Sequence, residues 1–395
     1  MGRRDRWLSA LLVTGVLVGC VTDHDALSKR PTTNQGAGAG GLGTAGAPTH
    51  FAGSNGDGAN GGGHSDDEAP GESLLTIVNG VVDAPSVVLC FAKVDAEGGV
   101  SAFGQPLTAQ PFEYGKSLVL TAVAGAELDT DTLQPMLIAG ELGLVSGLGC
   151  EDAVARAQDE EAAAIAANAQ ASAAALNDEG GAGGEGGAGA GAGEVRARLR
   201  LRGLPAIPAG TLSAGRSMLL VATGCLGGAT YRAAHEQEYC GAGYTEQAPT
   251  VSAVLVSLSR RLDFAHVGLQ FVHASLATSP LSVSSHPPFP SQDSGPLLAS
   301  NVSLGQTAPH SALLTDTASD LGSARLYRVQ VTPQDSPPAS FDWVDVLTGA
   351  GLSTLENGRG YTLVLVGPRA DHDAATPLWN PSRVTLLPGS SLLTP

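Results

Sequence analysis

One stretch of this chain is written twice. Leu212-Ser-Ala-Gly-Arg-Ser-Met-Leu-Leu-Val-Ala-Thr-Gly224 aligns without a gap to Leu355-Glu-Asn-Gly-Arg-Gly-Tyr-Thr-Leu-Val-Leu-Val-Gly367, at an offset of 143 residues. Upstream, Ile77-Val78-Asn79 matches Phe271-Val272-His273 at an offset of 194, and Tyr114-Gly115-Lys116-Ser117 matches Leu304-Gly305-Gln306-Thr307 at 190. A repeat of this span is one structural unit used twice, so any fold for the chain must place both copies alike. The offset falls by 47 between Gly115 and Gly215. Residues 151–194, 44 in number, resemble neither copy and account for nearly all of that fall. The first copy therefore carries a long insert.

Each copy reads as strands. Short apolar runs bounded by Gly, Pro and Asp occur at Leu74–Val78, Val87–Phe91, Leu118–Val123, Met136–Ala139, Met218–Ala222, Val251–Leu258, Val267–Val272, Leu326–Val331 and Tyr361–Val366. Runs of this length, rich in Val, Leu, Ile and Thr, predict a mainly β body built as sandwiches. The expected division is residues 74–262 for the first β-sandwich domain and 263–395 for the second.

The insert has its own grammar. Glu151 to Leu176 is Ala-rich with acids at its start, where they suit a helix dipole. Val154, Ile165 and Leu176 recur every 11 residues and predict one narrow apolar stripe on that helix. Residues 179–194 contain only Gly, Ala and Glu and are expected to be disordered. Here composition enters: the chain holds 53 Gly in 395 residues, with no Gly-X-Y period to make them collagenous. Many of them lie in this tract and in a second one, residues 20–73, which has almost no large apolar side chain with which to build a core. As a flexible coil that second tract would span about 40 Å. It reads as a tether.

Ahead of the tether, Arg3, Arg4 and Arg6 precede an apolar run from Trp7 to Val18. A basic start, a short apolar run and small residues describe a signal peptide over residues 1–19. Leu17-Val18-Gly19-Cys20 resembles the lipobox of bacterial lipoproteins. That resemblance implies cleavage before Cys20 and acylation of its sulfur and amine, which anchors the chain through two or three acyl groups. Val21 rather than Asp after the lipidated Cys implies the outer membrane. Cleavage would remove three Arg and one Asp and take the formal charge from −17 to −19. So acidic a chain is a poor partner for nucleic acid.

Four further cysteines, Cys90, Cys150, Cys225 and Cys240, leave three connectivities open for two disulfides in an exported protein. Cys225 and Cys240 flank a loop that the second copy lacks, which pairs them with each other and Cys90 with Cys150. Between the insert and the next apolar run, Arg196, Arg198, Arg200 and Arg202 alternate with Val195, Ala197, Leu199 and Leu201. Period two places four guanidinium groups on one face of a strand. They could form a ladder for an anionic polymer, since Arg grips carboxylate and phosphate in a bidentate manner. The preferred reading is that they face solvent and offset Asp159, Glu160, Glu161, Asp178 and Glu179 of the insert.

Motifs for catalysis, cofactors and metals are incomplete. Gly-x-Ser-x-Gly is absent. His235-Glu236 begins like a zinc-protease helix, but Tyr239 stands where the second His belongs. Gly115-Lys116-Ser117 ends like a phosphate loop, but Gln110 replaces the leading Gly, so a turn entering a strand is expected. Asp371-His372-Asp373 is one short loop without a further ligand. No catalytic residue, cofactor or metal site is assigned on these grounds.

Finally, Val272-His273-Ala274-Ser275 followed by Pro280-Leu-Ser-Val283 resembles the opening of a bacterial surface domain, the domain-of-unknown-function family 4397. The first copy keeps Asp83-Ala84-Pro85 of that pattern but has Asn79-Gly80 for His-Ala. Gly358-Arg-Gly-Tyr361-Thr-Leu-Val-Leu-Val-Gly367 resembles the family's end. The resemblance implies two tandem Ig-like β-sandwich domains on a surface protein, with no catalytic residues to carry over. His273 is expected to be a turn residue bonded to nearby backbone. The reading is a non-enzymatic envelope lipoprotein with a structural, adhesive or binding role, its partners the membrane, a polysaccharide or another envelope protein. The competing class is a hydrolase assembled from distant His, Asp and Ser.

Overall fold

In the computed structural model of the chain, the residues described are 73–178, 195–227, 240–241, 243–245, 248–259, 266–276, 278–286, 297–315, 328–334, 338–357, 359–367 and 383–388. The expected signal peptide, the tether up to residue 72, the tract at 179–194 and the boundary between residues 262 and 263 lie outside them.

Alternation of side chains along the strands builds the first sandwich. Strand β1 (Leu74–Val81) runs parallel to β8 (Ser217–Gly224) and antiparallel to β5 (Ser117–Leu120), and β9 (Ser252–Leu258) completes the order β5-β1-β8-β9. The facing sheet has the order β3 (Val100–Phe103), β2 (Ser86–Val94), β6 (Leu133–Gly140), β7 (Leu199–Gly203), with β4 (Phe112–Glu113) paired to β2. Leu75, Ile77, Leu220 and Ala222 from one sheet meet Leu89, Phe91 and Leu137 from the other in a single buried core.

The second sandwich repeats this plan. Strand β10 (Val267–His273) runs parallel to β16 (Gly360–Val366) and antiparallel to β13 (Thr307–Thr315), with β17 (Arg383–Pro388) giving the order β13-β10-β16-β17. Its partner sheet is β12 (Leu297–Val302), β11 (Leu281–His286), β14 (Arg328–Pro333), β15 (Ala339–Asp342). Phe271, Leu363, Val283, Val331 and Trp343 fill its core. Even the register repeats. Ile77 pairs with Leu220 and Phe271 with Leu363, the residues equated by the sequence offsets of 194 and 143. Val78 pairs with Ser117 and Val272 with Thr307, as the offsets of 194 and 190 require.

Two pairs of equivalent glycines explain what the repeat preserves. Gly115 and Gly305 have φ of +68° and +78°, in the left-handed region that favours glycine, at the turns entering β5 and β13. Each donates its N–H to the strand beside it, Gly115 to Asn79 O at 2.6 Å and Gly305 to His273 O at 2.8 Å. Gly115-Lys116-Ser117 is thus a turn. Gly224 and Gly367, with φ of +84° and +92°, end β8 and β16 in the same way.

The two sandwiches meet face to face. Strands β1, β8, β10 and β16 are buried on both sides. Val78, Leu219, Val221, Val254 and Val256 of the first copy form one apolar layer with Val272, Ala274, Val364 and Val366 of the second. The seam has pseudo-two-fold character. Gly80 lies against Val366, and Thr223 Oγ1 donates to Ala274 O at 2.6 Å. Gly80 corresponds to Ala274 and Thr223 to Val366, so these are one contact made twice, as an isologous interface demands.

Helices depart from the repeat. The first, α1 (Cys150–Asp178), and a 3-10 turn at Leu142–Val145 occupy the connection from β6 to β7. The second copy joins β14 to β15 through residues 334–338 alone. The insert therefore widens a single sheet connection. The expected stripe on α1 is corrected: Val154 is buried, but Ile165 is 71% exposed, and the side chain of Leu176 lies outside the described residues. The buried face is Cys150, Ala153, Val154, Ala157 and Ala164. Small side chains and the disulfide at Cys150 bring this face close to the sheet. A second helix, α2 (Trp343–Gly349), lays Trp343, Val346 and Leu347 on the core of the second sandwich.

Candidate functional site

Among the described residues, three constellations gather chemistry-bearing side chains, and each is spent on the fold. The first is the bed of α1. Cys90 on β2 is joined to Cys150, the first residue of α1, with Cα atoms 5.6 Å apart, and both are fully buried. Cys225 and Cys240 are joined likewise, at 5.3 Å. The connectivity is the expected one. Around Cys90 and Cys150 lie Met136, Ile138, Leu199 and Leu201, the apolar outer face of the β2 sheet, which α1 covers.

Further along α1 the same helical face turns polar and grips β7. Glu160 accepts from Arg198 Nη2 at 2.7 Å and from Arg156 Nη2 at 3.0 Å. Glu161 Oε1 accepts from Arg202 Nη1 at 2.8 Å and from the Leu201 N–H at 3.2 Å, which occupies a donor on the edge strand. Asn168 closes the clasp by exchanging two hydrogen bonds with the Val195 backbone, at 2.7 and 2.8 Å. The hydrogen bond from Arg198 holds the Glu160 carboxyl below its ordinary range, and Glu160 raises Arg198 in turn. Leu199 and Leu201 are buried, as alternation predicts, but the strand spans only Leu199–Gly203. Arg198 and Arg202 thus neutralise the insert. Arg196 and Arg200 are also engaged. The structure does not align the four as one free ladder.

The other two constellations are equivalent ends of β1 and β10. In the first copy, Asn79 accepts the Val81 N–H on Oδ1 at 3.1 Å and donates through Nδ2 to Phe112 O at 2.9 Å. Asp83, 3% exposed, accepts the N–H groups of Leu226 and Gly227 at 2.8 and 2.7 Å. In the second copy, His273 is fully buried. Its Nδ1 accepts the Ser275 N–H at 3.2 Å, and its Nε2 faces Thr278 O at 3.1 Å and Ser279 O at 3.2 Å. Carbonyls only accept, so Nε2 carries the proton and the ring is neutral. Burial pushes its pKa down, against the upward pull of the two carbonyls.

Asn79 and His273 are therefore interchangeable parts. Each accepts from the N–H two residues on and donates to a carbonyl, which explains how one copy can carry Asn where the other has His. His273 bonds to nearby backbone as the sequence led us to expect, but from the last position of β10 rather than from within the turn. The Ser275 hydroxyl donates to Gly367 O and shares a hydrogen bond of 2.8 Å with Thr278 Oγ1. It is directed away from the imidazole, so the two are not arranged for base-assisted attack.

Among the described residues, no group of three or more His, Cys, Asp or Glu is placed to hold a metal. Cys20, His235-Glu236 and Asp371-His372-Asp373 lie outside the described residues. What sequence reasoning missed was the Asp83 clamp. Its signal was the Asp-Ala-Pro turn itself, which names a bend but not the distant amides it would receive.

No family model matches the chain, and no curated protein matches it. Among solved structures, a candidate cell adhesion protein from Bacteroides ovatus aligns at 8% identity over 80% of this chain and 96% of its own. The TM-score is 0.15, and an overlap at that level carries no argument about fold or role.

Proposed function

We propose that this chain is an exported lipoprotein of a Gram-negative-type envelope, held in the outer membrane by acyl chains on Cys20. It displays two sandwiches of the 4397 family on a tether, in a structural, adhesive or ligand-binding role without catalysis. The observation that carries the reading is the pair of disulfides, Cys90–Cys150 and Cys225–Cys240. Such bonds persist in oxidising compartments outside the cytosol. The basic and apolar start and the small residues before Cys20 agree with that address. The repeated topology and register support two copies of one domain. The buried Asn79, Asp83 and His273 each serve the backbone of their own copy, which favours a scaffold or binding surface over an assembled active site. Binding partners on this reading are a polysaccharide or another envelope protein.

Labelling cells with an alkyne analogue of palmitate tests the anchor. The wild-type chain should take up label and sediment with membranes, and Cys20→Ala should do neither. Equal labelling of the two proteins, or a soluble wild-type chain, would overturn the proposal.

A further inference from the structure

The end of β10 joins three things that are usually separate: a buried imidazole, the turn after the strand, and the seam between the sandwiches. His273 receives the Ser275 N–H on Nδ1, while the adjoining Ala274 carbonyl receives Thr223 Oγ1 from the other sandwich at 2.6 Å. Ala274 N also donates to Leu365 O at 3.0 Å, and the Ser275 hydroxyl donates to Gly367 O. One residue beyond the imidazole, the backbone is thus tied both to β16 and across the seam.

A proton on Nδ1 would set an N–H against the Ser275 N–H. The hydrogen bond would be lost and a cation buried with no carboxylate partner among the described residues. We propose that this junction is an acid-operated latch, in which proton uptake by His273 frees the turn after β10 from β16 and loosens the seam at Ala274–Thr223.

Among the described residues of the neighbouring elements, His273 is the group that titrates at the junction. Strands β1, β8 and β12 contain no titratable side chain, and β16 contains Tyr361 at its opposite end. Asp83, beyond β1, is committed to Leu226 and Gly227. The side chains of His310 on β13 and Arg383 on β17 lie outside the described residues. The lowered pKa of His273 has burial as its largest cause.

The sign follows from linkage. The open form, with the ring in water, takes up a proton near pH 6.5, and the closed form only at lower pH. Above about pH 6.5 both forms are neutral and the latch is at full strength. As pH falls below that, the open fraction grows until the lowered native pKa is reached. Copy one supplies the control. Asn79 makes the equivalent bonds and cannot titrate, so only the second sandwich's side of the seam responds to acid.

The test uses the mature chain and its His273→Asn variant. Amide exchange at Ser275 and Gly305, corrected for intrinsic rates, is followed as pH is lowered from neutral. In the wild type, opening should increase by up to about tenfold per pH unit below about pH 6.5. In His273→Asn, which copies Asn79, that response should vanish. Imidazole NMR of the wild type should show a neutral Nε2–H ring titrating below pH 6.5. Equal pH responses in the two proteins, or an ordinary titration of His273, would overturn the latch. Should the variant not fold, the titration in the wild type decides alone.

Discussion

Replacing Gly80 by valine is expected to lower the stability of the chain by about 3 kcal/mol, the upper end of the cost of overpacking a well-filled interior. Gly80 closes β1 at the seam. A Cβ built there would lie 2.8 Å from the Ala222 carbonyl oxygen, 2.9 Å from Val366 Cγ1 and 3.1 Å from Val366 Cβ. The first neighbour is backbone of the adjoining strand and the other two belong to the second sandwich, so neither side yields without moving a sheet. The equivalent site, Ala274, faces Thr223 instead of Val366, and a methyl group is accommodated there. Trimming Val366 to Ala in the Gly80→Val background should recover part of the loss. Contacting residues of this kind couple by roughly 0.5–3 kcal/mol. Urea denaturation of the two single variants and the double variant measures that coupling. Simple additivity would place Gly80 and Val366 in independent environments.

Removing the Cys90–Cys150 disulfide, as Cys90→Ala/Cys150→Ala, is expected to cost about 4 kcal/mol on chain-entropy grounds for a closed loop of 60 residues. Two lost contacts add to that figure. Both sulfurs are buried under α1 among Met136, Ile138 and Leu201, and Cys150 starts the helix. Polar ties of α1, among them the Glu160 and Glu161 pairs and the Asn168 clasp, remain, with the Arg198–Glu160 pair open to solvent screening. The apolar face of the β2 sheet should therefore become accessible to a hydrophobic dye in the variant, alongside a lower urea midpoint. A midpoint equal to that of the wild type would mean that packing alone holds α1 in place.

How much of this was legible beforehand depends on what kind of signal each element carried. The repeat was written in residues with a geometric duty. Gly115 and Gly305 need positive φ, and Gly224 and Gly367 end equivalent strands, so their spacing survives and fixes the register. The disulfides followed from counting and from the loop the second copy lacks. Strands β11, β12 and β13 escaped notice because Ser, Asn, Thr and Pro interrupt their apolar alternation. Helix α2, seven residues long, is too short for a helical period to show. The regular spacing of Val154, Ile165 and Leu176 does not say which side chains of α1 touch the sheet. The contact was made instead by Ala153, Ala157 and Ala164, whose small size lets a helix approach a sheet.

The seam was the least visible feature, although its residues were all in the repeat. Val78, Val221, Val272 and Val364 sit on the faces opposite the two cores, in strands apolar on both sides. A continuous apolar run is what a doubly buried strand requires. A linear sequence does not say what covers the second face. Here each copy covers the other, and polar groups at the strand ends, Asn79 and His273, lock the turns beside the seam.

Calorimetry of the chain tests most directly the claim that the two copies form one body through their shared face. A single unfolding transition is predicted, with the calorimetric enthalpy equal to the van't Hoff value. Two resolved transitions, each with the enthalpy of one sandwich, would contradict it.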